Sequence, residues 1–364
     1  MTGVLVHEWI AQSGGSENVL EAMGKVYPDA QIVCLWNDSR GRFEDDRIRE
    51  TWLARSPLRR SKAAALPFMP VTWRTLRDRD YEWALVSSHL FAHHVTFRDP
   101  GIDRHVYVHT PARYIWNPEL DARGATAPAR AIAAAFKGVD RRRAREGAQF
   151  AANSEFVRRR IAQAWGVDAC VIHPPVEVTA IQSRSWVDEL TDAEREQYDA
   201  LPDAFVLGAS RFIPYKRLDL VIRAGEITRT PVVLAGRGPE RAHLESRAAD
   251  ATVPVTFVHS PSDALLRALY AKALVYVFPA IEDFGIMPVE AMAAGCPVVG
   301  QAVGGAAESV APGVSGALSR FEEDDDIAHA MALALTANRD VVSAHARTYS
   351  RERFNEQIRE WVGR

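Results

Sequence analysis

The chain has 364 residues, which at roughly 150 per domain points to two compact domains and excludes a single small module. Hydrophobic residues make up 47% and charged residues 25%, so disordered and fibrous classes drop out. With 44 basic and 47 acidic residues the net charge is −3, which draws the chain as a whole to neither a polyanion nor an acidic membrane; any basic site must be local. Cys34, Cys170 and Cys296 lie far apart with no metal-ligand or disulfide spacing, which fits a reducing, cytoplasmic setting.

The first predicted element, Gly3-Val4-Leu5-Val6, is a buried strand too brief for a signal peptide. No apolar run approaches the ~20 residues that cross a bilayer. Next comes Gln12-Ser13-Gly14-Gly15-Ser16-Glu17, whose paired glycines permit either a tight turn or close approach to a ligand. Further strands are expected at 30–35, 83–87, 106–109 and 150–152, between amphipathic segments. The stretch 55–79 combines Arg55, Arg59, Arg60, Lys62, Arg74 and Arg77 with nearby Trp52, Phe68, Met69 and Trp73. It reads as a solvated helix face or as a surface resting on anionic lipid, with Arg141 to Arg145 on the same face. Without a recognition motif beside these charges, nucleic acid is not an expected partner. In His109-Thr110-Pro111-Ala112-Arg113-Tyr114-Ile115-Trp116 a histidine ends a strand, as a structural or a catalytic group, and an aromatic loop follows.

Consecutive prolines at Pro174 and Pro175 block helix and mark a hinge, after which strands restart at 205–208, 232–235, 255–258, 275–278 and 297–299. The expected division is 1–174 and 175–347, both α/β with parallel sheets. Doubly wound sheets bind ligands at the carboxyl ends of their strands, so two facing ones offer an interdomain cleft.

Three segments of the second half carry charge or glycine in informative places. Arg211 and Lys216 flank a proline-containing turn and are either surface charges or a pair aimed at one diphosphate. Gly236-Arg237-Gly238 imitates a dinucleotide fingerprint, but Arg241 stands at the third glycine position, against a nicotinamide-dependent oxidoreductase. Between 275 and 299 a strand leads through Glu282-Asp283-Phe284-Gly285 into a helix opening near Ile286, and Glu290 follows one turn in. Glu282 caps that helix and Glu290 is a solvated charge, or the loop amides and both carboxylates meet a ligand whose phosphate sits at the helix start. Glu322 to Asp326 are acids at a helix start rather than a magnesium site.

The Glu282 and Glu290 segment resembles the Glu, seven residues, Glu signature of retaining glycosyltransferases of family four, which have the GT-B fold of two Rossmann-like domains. Gly304-Gly305-Ala306-Ala307-Glu308, Pro312-Gly313-Val314-Ser315-Gly316, the Arg211 and Lys216 turn and the His109 segment resemble the same family, as do Val86-Ser87-Ser88-His89 and residues 152–157, taken as lining and scaffold. The resemblance implies that Arg211 and Lys216 bind the donor diphosphate. It likewise implies that Glu282, Asp283, Phe284, Gly285, Ile286 and Met287 bind the donor, and that Glu290 binds the nucleotide ribose. Gly14 and Gly15 would cover the donor phosphate, His109 would lie beside the donor sugar, and Arg113, Tyr114 and Trp116 would hold an acceptor sugar. Departing from the family, His259 stands where glycine is usual, which leaves the base open.

The final helix, 348–364, would pack back on the first domain. The resemblance further implies same-face transfer with retention and no metal cofactor, because Arg211 and Lys216 stabilise the leaving diphosphate. The expected reaction moves mannose from GDP-mannose, with a UDP-hexose as alternative donor, to a glycan or lipid-linked hydroxyl at the inner face of the membrane. A non-catalytic sugar-nucleotide binding protein is the alternative of another class.

Overall fold

The computed structural model describes residues 2–12, 14–76, 81–99, 101–116 and 127–364, with the backbone alone at Tyr114, 127–133 and 135. The chain forms two units, Met1–Pro175 together with Glu352–Arg364, and Val176–Arg351.

In the first unit, runs of β-branched and aromatic residues form seven strands: β1 Gly3–His7, β2 Gln31–Cys34, β3 Ile48–Glu50, β4 Trp83–Ser88, β5 Asp103–Val108, β6 Gln149–Ala152 and β7 Cys170–Val171. They make one parallel sheet in the order β3-β2-β1-β4-β5-β6-β7. Side chains alternate along each strand. Val4, Val6, Val86 and Val108 therefore enter one core with Trp73 and Trp165, while Leu5, Leu85 and Tyr107 enter a second on the opposite face. Into that second core the helix Arg351–Val362 inserts Phe354, Ile358 and Val362.

Six strands build the second unit: β8 Val206–Ala209, β9 Val232–Gly236, β10 Val255–His259, β11 Val275–Phe278, β12 Val298–Gln301 and β13 Gly316–Ser319. Their order is β10-β9-β8-β11-β12-β13, again all parallel. Each sheet thus reverses its winding once, between β1 and β4 in the first unit and between β8 and β11 in the second. At such a switch point the connections leave in opposite directions and open a crevice beyond the strand ends.

The basic stretch beginning at Arg55 is not one amphipathic helix. It is a chain of single turns, Trp52–Arg55, Pro57–Arg60, Lys62–Ala65, Leu66–Phe68 and Met69–Trp73. Pro57, Pro67 and Pro70 each remove a backbone donor and restart the turn. Arg77 and Arg79 lie outside the described residues. Among the described residues, no helix is long and apolar enough to cross a membrane.

Candidate active site

The switch point of the second unit collects most of the charged residues singled out from the sequence. Beyond β8, Pro214 opens a single turn, Pro214–Lys216, and the chain leaves it through Arg217 in the left-handed conformation, φ 49°. The turn drives Lys216 inward. Its side chain is 9% exposed, with Nζ 2.5 Å from Glu282 Oε1 and 5.3 Å from the centre of the Phe278 ring. Arg211 remains exposed and donates to Tyr215 Oη at 3.3 Å.

Glu282 arrives from the other side of the switch, in the loop 279–285 that leads from β11 to the helix Ile286–Ala293. Gly285 is the residue before that helix, and no side chain caps it. Ile286 and Met287 therefore offer first-turn N–H groups at the positive end of the helix, whereas Pro288 has none to offer. Phe284 turns its ring into the core, so only its backbone can serve a ligand. The loop is backed by Gly304 and Gly305: Gly305 donates to Glu282 O at 2.8 Å, and a β-carbon on Gly305 would lie 2.2 Å from Phe284 Cα. Deeper in, Glu290 is 23% exposed with Arg267 at 4.0 Å; burial pushes its carboxyl up to about 7, against the pull of Arg267. A buried ammonium, an exposed guanidinium and an uncapped helix start suit an anionic ligand, and the carboxylates beside them suit hydroxyls.

Two neighbouring segments have structural duties. Gly236 and Gly238 lie where β-carbons would meet Ser210 O at 1.9 Å and Phe212 O at 2.3 Å, so these glycines admit the adjoining loop rather than a pyrophosphate. In the acidic run Asp326 accepts from Ser319 Oγ and the Arg320 amide, and Asp324 pairs with Arg223, at the start of the helix Asp324–Leu335.

The switch point of the first unit holds a histidine cluster in which the sequence reading selected His109 as a site residue and took His89 as lining or scaffold. Ser87 Oγ lies between His7 Nδ1, at 3.0 Å, and His109 Nε2, at 2.8 Å. Burial, with His89 nearby, lowers His7 to about 4 and holds His109 well below the ordinary imidazole value, so both rings are neutral at pH 7. Glu8, fully buried after β1, accepts at Oε1 from the amides of Leu90 at 2.8 Å, Ala92 at 2.9 Å and His89 at 3.2 Å, and from Ser88 Oγ. Its Oε2 lies 3.2 Å from His89 Nδ1. Burial pushes the Glu8 carboxyl up, but His89, His7 and the amides together hold it below its usual value, as an anion.

Trp116, expected at the acceptor, is anchored at its polar end. Its indole N–H donates to Asp140 Oδ2 at 2.7 Å, and Lys137 and Arg141 approach its ring. Asp140 is fully buried and also accepts from Trp165 Nε1 at 2.7 Å and His94 Nε2 at 2.9 Å, with His93 Nε2 at 3.0 Å. The Tyr114 side chain lies outside the described residues, and Arg113 is partly exposed in the same helical turn, Arg113–Trp116. Gly14, just before the helix Gly15–Val26, and Gly15, its first residue, are exposed, and Glu17 folds back on their loop to accept from the Ala11 amide; Ser13 lies outside the described residues.

Two triads, His7 with Glu8 and His89 and His93 with His94 and Asp140, bring their ligand atoms within 4.8 Å of one another. Hydrogen bonds already account for the carboxylate oxygens in both. His7, Glu8, His89 and Asp140 were not selected from the sequence as site residues. The available signal was positional, because Glu8 and His89 directly follow the two strands that flank the switch.

Most of the second unit, together with much of the final helix, matches a known family model. Residues 191–361 match Glycosyl transferases group 1. This group 1 region holds Arg211, Lys216, Glu282 and Glu290 and covers just under half of the chain. The chain is 32% identical over 193 residues to a GDP-mannose-dependent alpha-(1-6)-phosphatidylinositol monomannoside mannosyltransferase of Mycolicibacterium smegmatis, covering 49% of this chain and 50% of that protein. It is also 32% identical over 202 residues to a D-inositol 3-phosphate glycosyltransferase of Mycolicibacterium vanbaalenii, covering 50% and 44%. The chain thus spans about half the length of these relatives. Anabaena HepE in complex with UDP aligns over 100% of both chains with a TM-score of 0.70 and 19% identity. The shared fold is GT-B, with two Rossmann-like α/β domains of parallel sheet.

Proposed function

We propose that this protein is a retaining, metal-independent hexosyltransferase that moves mannose from GDP-mannose to a hydroxyl of a glycan or lipid-linked acceptor. The observation that carries the reading is the Lys216 to Glu282 pair at the β8/β11 switch, beside Arg211 and the uncapped start of the helix Ile286–Ala293. The group 1 match over this unit supports glycosyl transfer, and the GDP-mannose-dependent relative supports the donor.

In this reading the donor diphosphate takes Lys216 as its counter-ion and recruits Arg211 and the amides of Ile286 and Met287. Charge that builds on the diphosphate as the glycosidic bond breaks meets groups already in place, where fixed donors are most effective. Glu282 and the Asp283 to Gly285 amides receive the sugar hydroxyls, and Glu290 accepts from the ribose. With the leaving phosphate taking the acceptor's proton on the same face, the new bond keeps the donor's configuration.

The protein works at a membrane surface. Trp52, Phe68 and Val71 are 51%, 44% and 61% exposed, Arg55, Arg60 and Lys62 are exposed among them, and residues 51–76 contain no acid. Apolar anchors framed by cations match an anionic lipid face at the cytoplasmic side.

A thermal-shift panel of GDP- and UDP-sugars with EDTA present, followed by assignment of the product anomer, tests the proposal. GDP-mannose stabilises the fold and gives an α-linked product. A UDP-only response replaces the donor, loss of transfer in EDTA refutes metal independence, and binding without turnover leaves a sugar-nucleotide binding protein.

A further inference from the structure

The Glu8 and His89 pair sits where the first unit's sheet reverses, one residue beyond β1 and one beyond β4. A buried carboxylate is costly unless its lone pairs are filled. Anchoring the 89–92 turn occupies Oε1, which takes the three amides and Ser88 Oγ. The second oxygen accepts from the His89 amide at 3.3 Å and makes a 3.2 Å ion-pair contact, without hydrogen-bond geometry, with the buried Nδ1 of the same residue. Trp9 stands edge-on to the His89 ring at 4.8 Å between centres, and His7 and His109 lie 5.5 and 6.2 Å away. The His89 side chain is nevertheless 21% exposed, and with Nδ1 buried the exposed edge is the one bearing Nε2.

We propose that His89 is a hydroxyl-binding residue of the acceptor site and that Glu8 is its positioning residue. The negative Glu8 carboxylate, 3.2 Å from Nδ1, favours the ring proton on that nitrogen and leaves the Nε2 lone pair facing outward. Nε2 then accepts a hydrogen bond from a polyol hydroxyl and orients its oxygen for attack. His7 does not compete for that role, because Ser87 engages its Nδ1 and its Nε2 is buried. The assignment rests on the glycosyl transfer reading, but its test does not need turnover.

The experiment is nitrogen NMR on the full chain with labelled histidine, titrated separately with methyl α-D-mannopyranoside and with myo-inositol. His89 is expected as the Nδ1–H tautomer, and Glu8→Gln is expected to release that preference. One of the two polyols should shift the His89 Nε2 resonance while leaving His105, which packs on Trp361, in place. The responding polyol identifies the acceptor as a hexose or a cyclitol. In a transfer assay with the responding polyol, His89→Ala should raise its KM at least tenfold and leave the donor KM within twofold, with His89→Gln partly restoring it. A proton on Nε2 in the wild-type protein, or a His89 signal unmoved by either polyol at saturation, overturns the proposal. A chain that shows the tautomer and the shift but never consumes GDP-mannose refutes the donor reading instead.

Discussion

Replacing Gly305 by alanine tests whether the loop 279–285 is the donor-binding element. Gly305 has an ordinary helical conformation, φ −71°, so alanine introduces no backbone strain. The added methyl would lie 2.2 Å from Phe284 Cα, 2.4 Å from Asp283 O and 2.6 Å from Phe284 N. Carbon contacts settle at roughly 3.5–4.0 Å, so the loop must retreat by about 1 Å or more. Such overpacking costs about 1–3 kcal/mol, and weakening the 2.8 Å bond from Gly305 N to Glu282 O adds about 1 kcal/mol. Function should suffer more than stability, since a misplacement of about 1 Å at a reacting centre costs on the order of 100-fold in rate. Urea unfolding of Gly305→Ala should show the modest loss, and calorimetric titration with GDP-mannose should show binding weakened at least tenfold. If donor affinity and transfer stay within twofold of wild type, the loop does not hold the donor.

Asp140→Ala, which strands His94 and two indole N–H groups, should lower stability by about 3–5 kcal/mol, read by urea unfolding through tryptophan fluorescence. Folded His7 and His94 resist protonation down to about pH 4, whereas unfolded histidine takes a proton near 6.5. First-unit stability should therefore fall as pH drops from about 6.5 to 4, by on the order of a few kcal/mol; eight of the nine tryptophans belong to that unit, so their fluorescence reports it. Burial raises Glu290 to about 7; on the proposal that it receives the ribose as a carboxylate, GDP affinity should fall about tenfold per pH unit below 7, and Glu290→Gln should flatten that slope. Trp52→Ser with Phe68→Ser should abolish sedimentation with phosphatidylglycerol vesicles and leave phosphatidylcholine vesicles unaffected.

The α/β class and the sheet-forming segments are legible because buried parallel strands are short, nearly continuous apolar runs such as Val275–Phe278. Three of the four edge strands are not: Ile48–Glu50, Cys170–Val171 and Gly316–Ser319 are short or polar, and pairing with a neighbour defines them more than composition does, whereas the apolar edge strand Val255–His259 is legible. Arg211, Lys216, Glu282 and Glu290 could be singled out because each lies in a distinctive local segment after a strand. Glu8 and Asp140 could not, since their importance comes from partners far away in sequence, 80 to 84 residues in one case and up to 46 in the other. The tie between Trp116 and the buried Asp140 is equally hidden, because the two residues lie 24 apart in sequence.

The central claim is that Lys216, held by Glu282 at the sheet's switch point, binds the donor diphosphate. Calorimetric titration of GDP-mannose, in EDTA, into wild type and into Lys216→Ala with its fold verified by circular dichroism tests it most directly. Saturable binding by wild type, weakened at least tenfold in the variant, is the predicted result. Equal affinity in the two proteins, or no binding of GDP-mannose by wild type, would contradict it.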